Sequence, residues 1–286
     1  MTHALPGLSA LAGRYDALLS DVWGVVHNGR ESFPVACEAL ARWRESVGPV
    51  VLISNAARPA AEVGAQLDGL GVPRAAWSAL VTSGDVTRVL LAERAPGPAY
   101  WLGPEWNASL HAGLGLQFVP LEAARFIVCT GPVNDDVETP EDYRALLTAA
   151  AARALPMICA NPDKVVQRGD RLIYCGGALA ELYEALGGTT IMAGKPHAPI
   201  YAAALAKARE LAGAPTPTSR VLAIGDGIGT DVAGANAQDL DVLFIAAGIH
   251  GAEARGPDGQ LDLAAVDRLL GAAGAHAAYA MTDLTW

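Results

Sequence analysis

The chain has 286 residues, of which 52% are hydrophobic and 17% are charged, so it can form one large domain or two medium ones with buried cores. This composition argues against disorder, because disordered segments are poor in apolar residues. The net charge of -10 argues against a nucleic-acid partner, since phosphate backbones recruit clusters of Lys and Arg. A small anionic ligand is compatible with this charge, because a few local donors or a metal ion can hold it.

The chain lacks the sequence marks of membrane insertion or export. Its apolar runs are shorter than the roughly 20 uninterrupted residues that span a bilayer. The start, MTHALPGLSALAGRYD, has no basic region followed by an apolar core. We therefore expect a cytoplasmic protein with no membrane partner. The cysteines form no Cys-x-x-Cys pair, so they are expected to be small buried residues and not zinc ligands or a disulfide framework.

Apolar runs of strand length alternate with segments whose apolar residues recur at helical spacing. The predicted strands are residues 15–22, 47–55, 99–103, 125–131, 155–161, 220–226 and 241–248. The predicted helices are residues 35–46, 139–154, 198–213 and 262–274, and the second of these has Thr139 as its expected N-cap and Pro140 at its first position. Near-continuous apolar strands joined by helices predict parallel sheets covered on both faces.

The middle of the chain has a strand and helix series of its own. Small-residue stretches suited to hinges, VTSGD and EALGGTT, flank it. The segments before and after it both have the pattern of one parallel sheet. We therefore predict a core domain made of residues 1–83 and 189–286, with an α/β domain, residues 84–188, inserted into it.

Polar side chains stand at the ends of three predicted strands: Asp21, the pair Ser54 and Asn55, and Asp226. Ligands of open parallel sheets bind beyond the carboxyl ends of the strands, so these residues are expected to converge on one crevice. Asp231 follows Asp226 by five residues in the string GDGIGTD. A single aspartate is more often a helix cap or a solvated loop residue. Three strand-end carboxylates instead favour a Mg²⁺ site, because Mg²⁺ prefers hard oxygen ligands.

The glycine loop after Asp226 and the lysine Lys195 are the other two features of interest. The glycine loop fails the dinucleotide fingerprint, because Gly225, Gly227 and Gly229 are spaced G-x-G-x-G and Thr230 stands where the third glycine belongs. Lys195, in the string MAGKPHAP, precedes a predicted helix. An exposed loop lysine is usually only solvated, but one near carboxylates can neutralise charge during phosphoryl transfer.

Taken in chain order, these motifs resemble the four-motif signature of the haloacid dehalogenase (HAD) superfamily. The resemblance is strongest to its class IIA, the NagD-like subgroup. The strings SNAARP, ANPD, AGKP and GDGIGTDVAGA are similar to those of the subgroup, and the resemblance covers nearly the whole chain. It implies an α/β fold: a Rossmann-like core with a parallel sheet and an inserted α/β cap domain. The motif residues are Asp21, Ser54 with Asn55, Lys195, Gly225 with Asp226, and Thr230 with Asp231.

The resemblance also implies roles for these residues. Asp21 is the expected nucleophile, which takes the phosphoryl group to form an aspartyl-phosphate. Mg²⁺ is expected to be held by Asp21, the backbone carbonyl of Trp23 and Asp226, with Asp231 as a ligand or a support. A homodimer formed through the cap is common in the subgroup.

The remaining expected roles concern the phosphoryl group and the nucleophile. Ser54 is expected to donate to a phosphoryl oxygen, Asn55 to orient it and Lys195 to pair with the nucleophile. Arg58 is either a contact to phosphate or cap, or a solvated arginine at a helix start.

One position departs from the family pattern, Asp-x-Asp-Gly, because this chain has Trp23 where the second aspartate belongs. That aspartate normally protonates the leaving oxygen and then activates water, whereas an indole has only a donor N–H. Three outcomes follow: a leaving group that needs no proton, a different acid such as His27, or lost catalysis. His27 is also a candidate for substrate contact, although a lone loop histidine is more often structural.

Two functional hypotheses follow from these motifs. The first is a Mg²⁺-dependent phosphohydrolase of small phosphorylated metabolites. The second is a catalytically silent or very slow relative that binds a phosphorylated ligand. A nucleophile that cleaves carbon–halogen or carbon–phosphorus bonds is a third alternative.

Overall fold

Strands and helices alternate along the chain in the computed structural model, which describes residues 1–168, 171–256 and 259–286. The strands are β1 (His3–Ala4), β2 (Ala17–Asp21), β3 (Val50–Ser54), β4 (Ala79–Thr82), β5 (Ala99–Leu102), β6 (Phe126–Cys129), β7 (Pro156–Cys159), β8 (Val165–Arg168), β9 (Arg171–Tyr174), β10 (Thr189–Met192), β11 (Val221–Gly225), β12 (Asp241–Ile245) and β13 (Tyr279–Met281). The α-helices are α1 (Pro34–Ser46), α2 (Ala60–Gly69), α3 (Ser83–Ala92), α4 (Arg144–Ala152), α5 (Gly176–Ala185), α6 (Ala198–Ala212), α7 (Ala233–Asn236) and α8 (Leu263–Ala272).

The chain divides into two compact units. The first consists of Met1–Ser54, Gly64–Val81 and Ile200–Trp286, and the second of Asn55–Val63 and Thr82–Pro199. The second unit thus includes residues 55–63, 82–83 and 189–199, which the sequence-based division assigned to the core domain. The predicted domain boundaries stay a prediction.

The first unit is built on a seven-stranded sheet with the order β1-β13-β12-β11-β2-β3-β4. The pairs from β1 through to β3 are all parallel. Alternate residues of each strand point to opposite faces of the sheet, and both faces are buried, as Leu18 and Leu52 on one face and Leu19 and Val51 on the other illustrate. Helix α1 packs Trp43 into the core of the first face. The predicted α/β fold with a parallel sheet is confirmed.

The second unit contains a parallel four-stranded sheet with the order β10-β7-β6-β5 and an antiparallel hairpin of β8 and β9. Two separate apolar cores cover the two faces of the four-stranded sheet. Ile127 and Cys129 belong to one core, and Phe126 and Val128, the alternate residues of the same strand, belong to the other. This alternation is what a fully buried parallel strand requires.

The predicted elements are present with shorter bounds. Predicted helix 139–154 begins as a 3-10 turn over Pro140–Tyr143 and continues as α4, and the Thr139 N–H donates to the Asp142 carboxylate at 2.7 Å. All four cysteines are buried free thiols, as expected. In the described part of the chain, no helix combines the length and the apolar character needed to cross a bilayer.

Candidate active site

Three aspartates come together in the first unit. Asp21 is the last residue of β2, Asp226 directly follows β11, and Asp231 lies in a π-helical turn over Ile228–Val232. One carboxylate oxygen from each lies within 4.8 Å of the others, and all three residues are buried. Because β2 and β11 are parallel neighbours, their carboxyl ends emerge side by side. Asp21 and Asp226 therefore lie beside Asp231 at one edge of the sheet, and the roles expected of these residues stay a prediction.

Two loops lie close to the Asp226 carboxylate, and one of them donates a backbone hydrogen bond to it. The N–H of Ile249 donates to Asp226 Oδ2 at 2.9 Å. The loop after β2 approaches the same carboxylate at Gly24, where a Cβ atom would lie 2.3 Å from Asp226 Oδ2 and where φ is +86°. At Gly248 a Cβ atom would lie 1.9 Å from that oxygen. Glycine is required at both positions, since any side chain would displace the carboxylate.

Asp231 is held by its own turn and by helix α6. The Gly227 N–H donates to Asp231 Oδ2 at 3.0 Å. The Tyr201 hydroxyl, from α6, donates to the Asp231 carbonyl at 3.0 Å. These bonds fix the π-helical turn, a local geometry that is often found at functional sites.

The donor set of this cluster fits a divalent cation with hard oxygen preference. Three buried carboxylates at one sheet edge repel one another unless positive charge lies among them. Carboxylate oxygens are the ligands that Mg²⁺ takes from proteins, usually few in number and supplemented by water and phosphate. Asp21, Asp226 and Asp231 are therefore the residues that can hold Mg²⁺ here.

Trp23 and His27 form one packed loop after β2. Their rings meet edge to face, with centroids 5.0 Å apart, and the Gly24 N–H donates to the His27 carbonyl at 2.8 Å. His27 Nδ1 accepts a hydrogen bond from the Gly29 N–H at 2.9 Å. Burial lowers the pKa of His27 to about 4. The ring is therefore neutral at pH 7, which argues against His27 as the replacement acid.

Ser54 and Asn55 lie at the end of β3, where the chain passes from the first unit to the second. In the first unit, Ser54 is buried and follows Ile53, whose register partner across the sheet is Asp21. In the second unit, the Asn55 side chain binds the backbone of Lys195 twice: its amide donates to the Lys195 carbonyl at 3.0 Å, and its oxygen accepts from the Lys195 N–H at 2.7 Å. The Asn55 amide also donates to Asp163 Oδ1 at 2.8 Å. Asn55 therefore fixes the backbone that carries the buried Lys195 side chain.

Arg58 lies further along the second unit. Its guanidinium carbon is 5.7 Å from the ring centre of Trp106, at cation–π distance. Burial lowers the pKa of Arg58, an effect that the charge of Glu62 partly offsets. The structure thus gives Arg58 an aromatic partner within its own unit, and its contact with a ligand stays a prediction.

Sequence reasoning did not identify three features: the Gly248–Ile249 loop and Tyr201 beside the carboxylates of the first unit, and Asp163 as the partner of Asn55 in the second unit. The Gly248–Ile249 loop acts through the Ile249 N–H and through the absence of a side chain at Gly248, and the Tyr201 hydroxyl binds backbone carbonyls. Asp163 lies in the string ANPD, one of the strings that resemble the family. Its position in that string is the one feature of the sequence that points to a role for Asp163.

The fold and the site define an α/β protein with a parallel sheet and a carboxylate cluster at the strand ends, and comparisons with known proteins identify its family. The family model described as "haloacid dehalogenase-like hydrolase" matches residues 18–117, and a second, "HAD-hydrolase-like", matches residues 192–272. A hydrolase of the haloacid dehalogenase-like family from Brucella suis 1330 is 47% identical, with a TM-score of 0.87 over 98% of this chain and 100% of that one. The chain belongs to the haloacid dehalogenase-like hydrolase family, and the class IIA prediction is confirmed.

The chain is also similar to phosphatases. The D-glycerol 3-phosphate phosphatase of Mycobacterium tuberculosis is 28% identical over 249 residues, which are 86% of this chain and 67% of that protein. A crystal structure of a glycerol phosphate phosphatase from the same organism, in complex with magnesium, is 28% identical with a TM-score of 0.62 over 84% of this chain and 70% of that one. The protein is therefore a HAD-type enzyme with phosphatase and metal-binding relatives.

Proposed function

We propose that the protein is a Mg²⁺-dependent phosphohydrolase of small phosphorylated metabolites that works through an aspartyl-phosphate on Asp21. The observation that carries the proposal is the buried cluster of Asp21, Asp226 and Asp231, with ligand atoms within 4.8 Å of one another. Its location at the carboxyl ends of parallel strands is where open α/β sheets bind ligands. The phosphatase relatives support the reaction class.

Asp21 supplies the nucleophile in this proposal. One Oδ atom attacks phosphorus, the bond to the leaving oxygen breaks, and water later cleaves the aspartyl-phosphate to release inorganic phosphate. Asp21, Asp226 and Asp231, together with the backbone carbonyl of Trp23, would hold Mg²⁺. Bound Mg²⁺ offsets the charge of the phosphoryl oxygens as the nucleophile approaches.

Ser54, Asn55 and Lys195 position the phosphoryl group in the proposal. The Ser54 hydroxyl donates to a phosphoryl oxygen, and the Lys195 ammonium balances negative charge during transfer. Asn55 acts by holding the Lys195 backbone through its two hydrogen bonds. The order of the motifs supports these roles.

Asp21→Asn tests the proposal, because an amide cannot form the covalent intermediate. Purified protein with Mg²⁺ is expected to release phosphate from members of a phosphometabolite panel that includes glycerol 3-phosphate, and Asp21→Asn is expected to abolish that release. Asp283→Asn is the matched control, since Asp283 is exposed and lies outside the cluster. Phosphate release that survives Asp21→Asn would sink the proposed nucleophile.

A second function, ligand binding without turnover, is favoured by Trp23. Loss of general acid and base help slows a reaction by about 10²- to 10⁴-fold. Thermal stabilisation by a phosphometabolite, with no phosphate release by the same sample over hours, would support this alternative. Steady release that requires Asp21 excludes it.

A further inference from the structure

The loop that follows the nucleophile carries no group suited to protonating a leaving oxygen. Between Asp21 and Gly29 the sequence is Val-Trp-Gly-Val-Val-His-Asn, so His27 is its one titratable side chain. Trp23 has an indole N–H and no titratable proton at any working pH. His27 is 2% exposed, and its Nδ1 is occupied by the Gly29 N–H. Its ring thus serves as a fixed packing element of the loop.

The loop is built around the indole. A Cβ atom at Gly29 would lie 2.5 Å from Trp23 Cη2, so the far end of the indole packs directly over the Gly29 backbone. On another side the indole meets the edge of His27. Meanwhile the carboxylates of Asp21, Asp226 and Asp231 are gathered and supported by backbone donors. The indole is therefore a fitted part of this loop, and the three carboxylates beside it are all retained.

We propose that the enzyme selects substrates whose leaving group departs as a stable anion without being protonated. The chemical class comprises acyl phosphates, enol and aryl phosphates, and phosphoanhydrides. This inference rests on the proposed function, because it assumes attack by Asp21. The Asp21–phosphorus bond forms while the bond to the leaving oxygen breaks, and that oxygen keeps the electron pair and takes no proton from the protein. Ordinary alkyl phosphates are poor substrates, since an alkoxide leaves slowly without an acid.

The test compares kcat/KM for acetyl phosphate, 4-nitrophenyl phosphate and phenyl phosphate with kcat/KM for glycerol 3-phosphate, with Mg²⁺ and the full chain. Wild type is expected to favour acetyl phosphate and 4-nitrophenyl phosphate over glycerol 3-phosphate by at least about 10³-fold. Trp23→Asp is expected to raise kcat/KM for glycerol 3-phosphate relative to kcat/KM for acetyl phosphate by about 10²- to 10⁴-fold. Trp23→Phe, which lacks the N–H, is expected to keep the wild-type ratio.

The inference is overturned if wild type hydrolyses glycerol 3-phosphate within about tenfold of acetyl phosphate, or if Trp23→Phe collapses the ratio and so shows the N–H to be the donor. If Trp23→Asp does not fold, as circular dichroism would show, the wild-type and Trp23→Phe ratios decide the question. Failure of the proposed function looks different: no substrate, activated or not, releases phosphate, and no phosphoprotein forms. That result removes both proposals at once.

Discussion

Gly24→Ala tests whether the close approach of the loop after β2 to Asp226 is needed for activity. Gly24 has φ at +86°, and a Cβ atom there would lie 2.3 Å from Asp226 Oδ2. The chain offers a matched control in Gly13, which has φ at +89° and nothing within 4 Å of the added Cβ. Gly13→Ala therefore carries the backbone strain alone, whereas Gly24→Ala carries the same strain and the collision.

The two variants should separate stability from activity. A left-handed backbone costs an alanine about 1–2 kcal/mol, so both variants should lose that much free energy of unfolding. Ordinary contact begins near 3.4 Å, so in Gly24→Ala the Asp226 carboxylate must move by about 1 Å. Gly248 and the Ile249 N–H also lie close to Asp226 Oδ2 and limit that movement. A misplacement of about 1 Å costs roughly 10²-fold in rate.

The assay measures kcat/KM for the best panel substrate across a Mg²⁺ titration, beside urea unfolding of each variant. Gly24→Ala should lose about 10²-fold in kcat/KM and need more Mg²⁺, and Gly13→Ala should keep wild-type activity. Equal activity in the two variants, whether both high or both low, would refute the reasoning.

Three further predictions concern the loop and the Asn55 network. The pKa of His27 in the folded protein, about 4, lies below its ordinary 6.5, so His27 stabilises the fold fully above pH 6.5 and loses that contribution as pH falls toward 4. Urea titrations should show that the free energy of unfolding of wild type falls by about 3 kcal/mol more than that of His27→Gln between pH 7 and pH 4. An equal fall in both proteins would contradict this. With Trp23 unable to activate water, the aspartyl-phosphate should accumulate, so rapid mixing with 4-nitrophenyl phosphate should give a burst of about one nitrophenolate per enzyme; a linear progress curve would exclude it. Asn55→Asp should lower the free energy of unfolding by about 1–3 kcal/mol, because it places a carboxylate against Asp163. Adding Asp163→Asn should recover part of that loss. A double variant less stable than Asn55→Asp would rule out this repulsion.

The residues at the ends of strands are the ones whose placement could be predicted from the sequence. Asp21 and Asp226 each follow a buried apolar run, and parallel neighbours present their carboxyl ends at one edge. The same logic does not reach Ile249, because it acts through a backbone N–H that every non-proline residue carries. Nor does it reach the pairing of Asn55 with Asp163, since two polar residues 108 positions apart leave no periodic signal.

Several elements were not predicted because they leave little periodic pattern in the sequence. Strands β1 and β13 have two and three residues, too few for alternation of apolar and polar side chains to be recognised. The β8–β9 hairpin exposes Arg171, Leu172 and Tyr174, so it lacks the continuous apolar run of a buried strand. Helix α3 begins at Ser83 in a stretch, VTSGD, that was interpreted as a hinge, and its N-cap is Thr82, whose hydroxyl accepts from the Asp85 N–H.

Because the Trp23 indole packs over Gly29, the residue at position 23 restricts the residue at position 29. A lineage that carries tryptophan at position 23 cannot accept a side chain at position 29, because the first methyl group would lie 2.5 Å from the ring. Aspartate at position 23 removes that collision, although the φ of +85° at Gly29 favours glycine in either case. Among relatives, tryptophan at position 23 should therefore be accompanied by glycine at position 29.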